Sequence, residues 1–314
     1  MKAAQYDRYG GPEVIEIRDV AMPTAGPGQM LVRVEACALN PKDALTRGGK
    51  FARLAGPQFP KGLCYDYAGT IAALGPGAAG FSVGDPVFGM LNGWNATAAA
   101  EYVVVGPQEC ALRPQGLNAA EAASLPLAAQ TALQALRDLG GVGQGSKVAI
   151  HGASGGVGTL AVQIAKVLGA RVTALCGADS AEQVRRLGAD EVIDYRQVEP
   201  ADLPGRYDCF FDVFGNQSYS RLRARLSARG RYISTVPTVR TLRDHLLTRL
   251  WPGKRGLLVV VKSRRRDLDQ LARWTTAGQL RPVIAQQLPL AAMRQAHEAI
   301  QTKRTHGKIV LIPS

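Results

Sequence analysis

The stretch from Val148 to Ala170, "VAIHGASGGVGTLAVQIAKVLGA", decides how the rest of the chain is read. An apolar run ends at His151. Four glycines follow at 152, 155, 156 and 158, and then a helical pattern begins. Glycine concentrates where backbone must turn tightly and come close to something, and a helix start offers free N–H groups to a pyrophosphate. The frame is A-x-G-x-x-G, with Ala153 where the strict fingerprint has its first glycine. The signal gains weight from its setting, strand then glycine turn then helix. Ser154, Gly155, Gly156, Val157 and Gly158 are therefore the expected pyrophosphate contacts.

Downstream, strand-like "RVTALC", "EVIDY", "CFFDVF", "RYIST" and "LLVVV" continue from "KVAIHG", with helical stretches such as "SAEQVRRLG" between the early ones. Six apolar strands alternating with helices predict a doubly wound parallel sheet. Upstream, "MLVRVEACAL", "GTIAAL", "DPVFGML" and "AEYVVV" are short strands punctuated by Gly and Pro, the pattern of a β-rich domain. The tail after residue 262 reads helix, strand, helix, strand ("GKIVLIP") and returns to that first domain. The expected organisation is a β-rich domain from 1–122 and 263–314, split in sequence around a dinucleotide-binding domain at 123–262.

In a doubly wound sheet the ligand crevice lies beyond the carboxyl ends of the strands. NAD sites usually place a carboxylate at the tip of the second strand, but here Gly177 follows "RVTALC". Ser180, Arg185, Arg186 and Tyr195 are candidates to meet a 2′-phosphate, so NADPH is expected over NADH. Phe214 and Thr235 follow strands four and five and belong to the same crevice.

The 314 residues carry a formal net charge of +13. Residues 240–314 hold 15 Lys+Arg against 4 Asp+Glu, whereas residues 1–239 are nearly balanced. The block 240–266 admits contact with nucleic acid or an anionic membrane surface. A solvated basic face or an oligomer rim is the plainer reading. Five cysteines form no C-x-x-C pair, which speaks against a zinc lobe or disulfide framework. The first twenty residues show no apolar export signal. The cytoplasm is the expected compartment.

These motifs together resemble the medium-chain dehydrogenase/reductase superfamily, in particular its zinc-independent, zeta-crystallin-like quinone oxidoreductases. The likeness runs nearly end to end, through "VRVEACALNPKD", "YAGTIAALGPGAAGFSVGDPVFG", "LPLAAQTALQAL", "GASGGVG" and "LGADEVIDY". It implies a GroES-like catalytic domain around an inserted Rossmann domain, and a homodimer. Where zinc-dependent relatives carry Cys, His and Cys, this chain has Asn40, Tyr65 and Leu127, so no metal is expected. Without that Lewis acid, hydride acceptors such as quinones or enones are favoured over alcohols.

Asn40, in the family's N-P-x-D motif, is expected at the reaction centre, its amide donating to the acceptor oxygen. Tyr65 supplies a phenolic hydrogen bond or lines the pocket, and Asp43 lines the pocket or braces the loop. Asp66 is read as structural, in a segment whose usual glycine is Cys64 here. Phe51, Phe59, Phe88 and Trp94 are candidates for an apolar wall. Thr131 matches the Thr beside the nicotinamide. Arg304, His306 and Lys308 match a segment that reaches cofactor phosphates. The competing functions are an enone or alkenal reductase, and an NADPH-binding protein whose main role is contact with nucleic acid or membrane.

Overall fold

The computed structural model describes residues 1–94, 96–250 and 252–313. It divides into two compact units, one of Met1–Leu127 with Lys262–Ser314 and one of Ala128–Val261.

The first unit begins with strands β1 (Lys2–Tyr6), β2 (Glu16–Asp19) and β3 (Met30–Leu39), then helices α1 (Pro41–Arg47) and α2 (Ala52–Ala55). Strands β4 (Lys61–Gly62), β5 (Asp66–Leu74), β6 (Pro86–Met90), β7 (Tyr102–Val105) and β8 (Cys110–Leu112) follow, then helices α3 (Ala119–Ala123) and α4 (Pro126–Leu133). The start of α1 is written in its sequence. Pro41 occupies the first helical position, and the Asp43 carboxylate accepts the Asn40 backbone N–H. Pro126 opens α4, and the six residues after that helix, Gln134–Leu139, wind as π-helix.

The second unit runs β9 (Lys147–His151), α5 (Gly156–Val167), β10 (Arg171–Cys176), α6 (Ala181–Arg186), β11 (Glu191–Asp194), β12 (Tyr207–Asp212), α7 (Tyr219–Leu222), β13 (Leu226–Ser234), α8 (Val239–Leu247) and β14 (Arg255–Leu258). Its six strands are all parallel, in the order β11-β10-β9-β12-β13-β14. That is the doubly wound arrangement expected from the sequence. The central strands β9, β10 and β12 are buried along almost their whole length, as layers on both faces require. Phe210, Tyr232, Leu175 and Ala149 belong to one core cluster. The sixth strand is shorter than its apolar run: pairing stops at Leu258, and Val260 is exposed.

The chain returns to the first unit through α9 (Arg265–Thr276), β15 (Ile284–Pro289), α10 (Met293–Gln301) and β16 (Lys308–Ile312). The large sheet there has the order β15-β16-β3-β5-β6-β8, with β7 also on β3. Strand β3 pairs with β5 along one edge, and its other edge takes β7 near Met30 and β16 near Leu39. In that register Ile309 faces Leu39, which brings Lys308 to Asn40. A separate three-stranded sheet, β2-β1-β4, completes the unit. The sequence reading had not anticipated these three strands.

Candidate active site

In the first unit a buried polar cluster forms where β3, β5 and β16 meet. Asn40 Nδ2 donates to Asp66 Oδ2 (2.9 Å) and to the Ala38 carbonyl (3.3 Å), while its Oδ1 accepts from Lys308 Nζ. Lys308 also pairs with Asp66 at 3.1 Å, and the Leu127 N–H donates to the other Asp66 oxygen. Burial pushes the Asp66 carboxyl up, and the Lys308 ammonium opposes that shift. Asp43 is buried too. Its two oxygens accept the backbone N–H groups of Asn40 (2.8 Å) and Cys64 (2.9 Å), and burial raises it to about 7. Cys64 stands at φ +61°, in the left-handed region that favours the glycine of the family pattern.

Several expectations are corrected by this geometry. Both hydrogens of the Asn40 amide are already committed, so it is not a free donor toward an acceptor. Asp43 braces the loop and does not line a pocket, because both its oxygens are spent on backbone. Lys308 is not directed to phosphates. It is buried at 4% exposure because Asp66, itself fully buried, requires a counter-charge.

The aromatic expectations divide. Phe51 and Trp94 pack with ring centroids 4.8 Å apart, and the Tyr65 hydroxyl donates to the Trp94 carbonyl at 3.2 Å. Lys42, which the sequence reading did not single out, places its ammonium 3.7 Å from the Tyr65 ring centroid and 4.7 Å from that of Trp94. It also donates to the Gly93 carbonyl, and burial lowers its pKa to about 8. Burial pushes the Tyr65 phenol well above its ordinary range. Phe88 is no part of this wall. It lies on β6, fully buried in the core. Phe59 packs instead against Tyr6 and Tyr9.

The second unit carries the glycine turn. Gly155 caps α5 in extended conformation, so the N–H groups of Gly156, Val157 and Gly158 form its first turn, which has no intrahelical acceptors. A Cβ on Gly158 would stand 2.1 Å from the Gly152 carbonyl oxygen, so only glycine lets the helix approach the turn. Gly152 has φ +84°, and a Cβ there would meet Phe214 at 3.3 Å. Ser154 is half-buried in the turn and Phe214 is exposed.

Beneath the loop, His151 Nδ1 lies 3.0 Å from Asp212 Oδ1. Asp212 also accepts from Gly215 N, Gln217 N and the Tyr232 hydroxyl, tying the ends of β9, β12 and β13 together. Thr235 Oγ1 donates to the Val213 carbonyl. Thr131 is buried on α4.

At the tip of β10 a cavity of about 240 Å³ is lined by Gly177, Ala178, Arg185, Asp194 and Gln197 among others. Tyr195 stands exposed beside it, whereas Ser180 is buried at 2% exposure and is closed off from the surface a 2′-phosphate would approach. Besides Arg185 in the cavity wall, Arg196 also reaches this tip. Its guanidinium lies over Gly177, within 2.9 Å of where a Cβ would be, pairs with Asp179 at 3.5 Å and sits over the Tyr195 ring. The sequence signal for it was its position two residues beyond β11. Arg304 and His306 lie exposed on the turn before β16, in the first unit.

Among the described residues no group of three His, Cys, Asp or Glu side chains is placed to hold a metal ion. The donor set does not fit zinc. Asn40 and Asp66 are engaged with the Lys308 ammonium, and Leu127 contributes a backbone N–H and no donor side chain.

The alcohol dehydrogenase GroES-like domain model matches residues 26–117, and a zinc-binding dehydrogenase model matches residues 187–311. The chain is 32% identical over 324 residues to the chloroplast envelope quinone oxidoreductase homolog of Arabidopsis thaliana, covering 100% of this chain and 98% of that one. It is also 32% identical over 324 residues to the chloroplastic NADPH-dependent alkenal/one oxidoreductase of Arabidopsis thaliana, covering 100% and 80%. The solved structure of the quinone oxidoreductase from Coxiella burnetii matches with a TM-score of 0.90 at 30% identity, over 99% of each chain. The chain belongs to the medium-chain dehydrogenase/reductase superfamily, with a GroES-like domain and a Rossmann-type parallel sheet. Within that superfamily it is a member of the quinone oxidoreductases.

Proposed function

We propose that this protein is an NADPH-dependent quinone oxidoreductase that works without zinc. The observation that carries the cofactor half is the tip of β10, where Gly177 takes the place of a carboxylate and Arg196 lies over it. A cation with bidentate capacity suits a 2′-phosphate, whereas a ribose 2′-hydroxyl asks for an acceptor. Ser154 and the first turn of α5 hold the pyrophosphate. Phe214, Thr235 and Thr131 position the remainder. A reduced nicotinamide supplies a hydride when bound.

The first unit's residues do the rest. Phe51 and Trp94, both half-buried, offer flat apolar surface for a quinone ring and shield it from water, and the fully buried Tyr65 braces Trp94 through its hydroxyl. The Lys42 ammonium over those rings stabilises the negative charge that grows on the acceptor oxygen. Asn40, Asp66 and Lys308 are positioning residues that fix the end of β3, and Asp43 holds α1, on which Lys42 sits. A hydroquinone anion is protonated by solvent or by Lys42, so no further acid is required.

The names of the relatives support quinone reduction, and one of them supports a second reading, reduction of enones or alkenals. That reaction needs a proton on the α-carbon. Tyr65 is a poor source, with its hydroxyl donated to Trp94 and its proton held more tightly by burial. Lys42 is the better one. A protein whose main role is binding nucleic acid or membrane is the weaker alternative beside relatives named as enzymes along the whole chain. The proposal includes cytoplasmic residence and a homodimer. Among the described residues no helix is long and apolar enough to cross a membrane.

The deciding experiment measures oxidation of NADPH and of NADH with benzoquinones, short enones and aldehydes. Turnover of benzoquinones with NADPH preferred is the expected result. Turnover confined to enones selects the second reading, and tighter NADH binding removes the cofactor assignment.

A further inference from the structure

Helix α8 is built inside out. Its protein-facing residues are polar: Thr241 and Asp244 are buried, and His245 Nδ1 accepts the Leu258 N–H from the edge strand β14. Its outward residues are aliphatic. Val239 is 87% exposed and Leu246 66%, with Leu242 and Leu247 also exposed, and Leu250 just beyond the helix is 69% exposed. The spacing 239, 242, 246, 250 is that of one helical stripe. An ordinary surface helix turns such a stripe to the core, so water is not the environment this one fits.

Cations alternate with the stripe along the chain, and Arg240, Arg243 and Arg249 are exposed on this segment. Between residues 239 and 258 stand Arg240, Arg243, Arg249, Lys254 and Arg255 against one carboxylate, Asp244, which is buried and paired with Arg243. The cluster continues beyond the helix. Lys254 is shifted down by burial and by Arg206 and Arg223, and Arg231 by burial and by Arg255 and Arg229. These like charges lie within electrostatic reach of one another, and an anionic partner would relieve them. Trp251 lies outside the described residues.

We propose that the outer face of α8, with the cations around it, docks the protein on an anionic lipid surface. Leu242, Leu246 and Leu250 enter the boundary between headgroups and acyl chains, and the guanidinium and ammonium groups meet lipid phosphates. Both halves of the patch are used in this way. Nucleic acid would engage the cations and leave the leucines in water. A second copy of this chain would cover the leucines but bring the same positive charges against each other. The docking adds to the reaction proposed above and does not depend on it.

The test is sedimentation of the full chain with vesicles of phosphatidylcholine alone and of phosphatidylcholine mixed with phosphatidylglycerol. Binding to the anionic vesicles only, weakened by salt, is expected. Leu246→Glu should abolish it, and Arg249→Glu and Lys254→Glu should each weaken it about five-fold or more, while circular dichroism and turnover of a water-soluble quinone stay unchanged. Equal sedimentation with neutral vesicles, or none with either, overturns the proposal. So does wild-type vesicle binding by Leu246→Glu. Leu246→Glu converting a dimer to a monomer with no vesicle binding by the wild type assigns the face to a second copy. Salt-sensitive binding of duplex DNA that ignores Leu246→Glu, again without vesicle binding, assigns the cations to nucleic acid.

Discussion

Lys308 Nζ lies 3.1 Å from Asp66 Oδ2 across 242 residues of chain, and both side chains are buried. The pair anchors β16 to the loop that carries Tyr65. Removing one partner leaves an uncompensated charge in the interior. Lys308→Met should therefore cost about 3–5 kcal/mol of stability, read by urea denaturation. The double variant Lys308→Met with Asp66→Asn should recover much of that loss. A single variant as stable as the parent would show that the pair carries no structural role.

Lys42 sets an expected pH limit on the reaction. Its pKa, lowered to about 8 by burial, means that the ammonium over Tyr65 and Trp94 is lost as pH rises past that value. kcat/KM for a quinone should fall above about pH 8, since that profile reports the free enzyme's groups. Lys42→Met should lower kcat/KM about ten-fold or more at neutral pH and flatten the limb. An unchanged limb in the variant would assign it to another group.

Arg196 is predicted to carry the preference for the phosphorylated cofactor. Arg196→Ala should weaken NADPH binding about ten-fold, the worth of one charge-assisted contact, and leave NADH binding nearly unchanged. Fluorescence titration of both cofactors measures this. Equal weakening of the two would place Arg196 in the adenosine pocket without a role in choosing between them.

His297 makes the fold sensitive to acid. It is fully buried, its Nδ1 accepts from Arg47 Nε at 3.3 Å, and burial with that neighbouring charge lowers its pKa from 6.5 to about 3. The unfolded chain takes up a proton near its ordinary pKa and the folded chain does not. The stability His297 contributes is present above about pH 6.5 and is lost as pH falls toward 3. Between about pH 7 and pH 5 the loss should be about 2 kcal/mol. His297→Gln should flatten that slope, and an equal slope in the variant would exclude this residue as its source.

Much of the fold was legible because its causes are local. "RVTALC" and "MLVRVEACAL" are the strands Arg171–Cys176 and Met30–Leu39, since apolar β-branched runs bounded by Gly and Pro leave few alternatives. The glycine turn was legible for the same reason. Gly152 and Gly158 answer to a backbone angle and a close approach, which act within a few residues. The site was legible only in part. Residue types picked out Asn40, Asp43 and Tyr65, but not what their polar atoms face. Phe88 and Ser180 were misplaced because exposure is a property of the packed fold, and composition gives no direction to a side chain.

By itself, then, the sequence determined two domain types, a parallel sheet and a tight glycine turn at the start of a helix, all set by short-range periodicity and glycine stereochemistry. Only the tertiary structure decided that Lys308 neutralises Asp66, that Arg196 covers Gly177 and that α8 turns its leucines outward. The register of β16 on β3 sets the first, the loop after β11 reaching across the tip of β10 sets the second, and the packing of Thr241, Asp244 and His245 toward the protein sets the third. Each is a contact between segments distant in sequence or a choice of helix face. Such choices are made by the balance of burial and charge over the whole fold, which no local pattern contains.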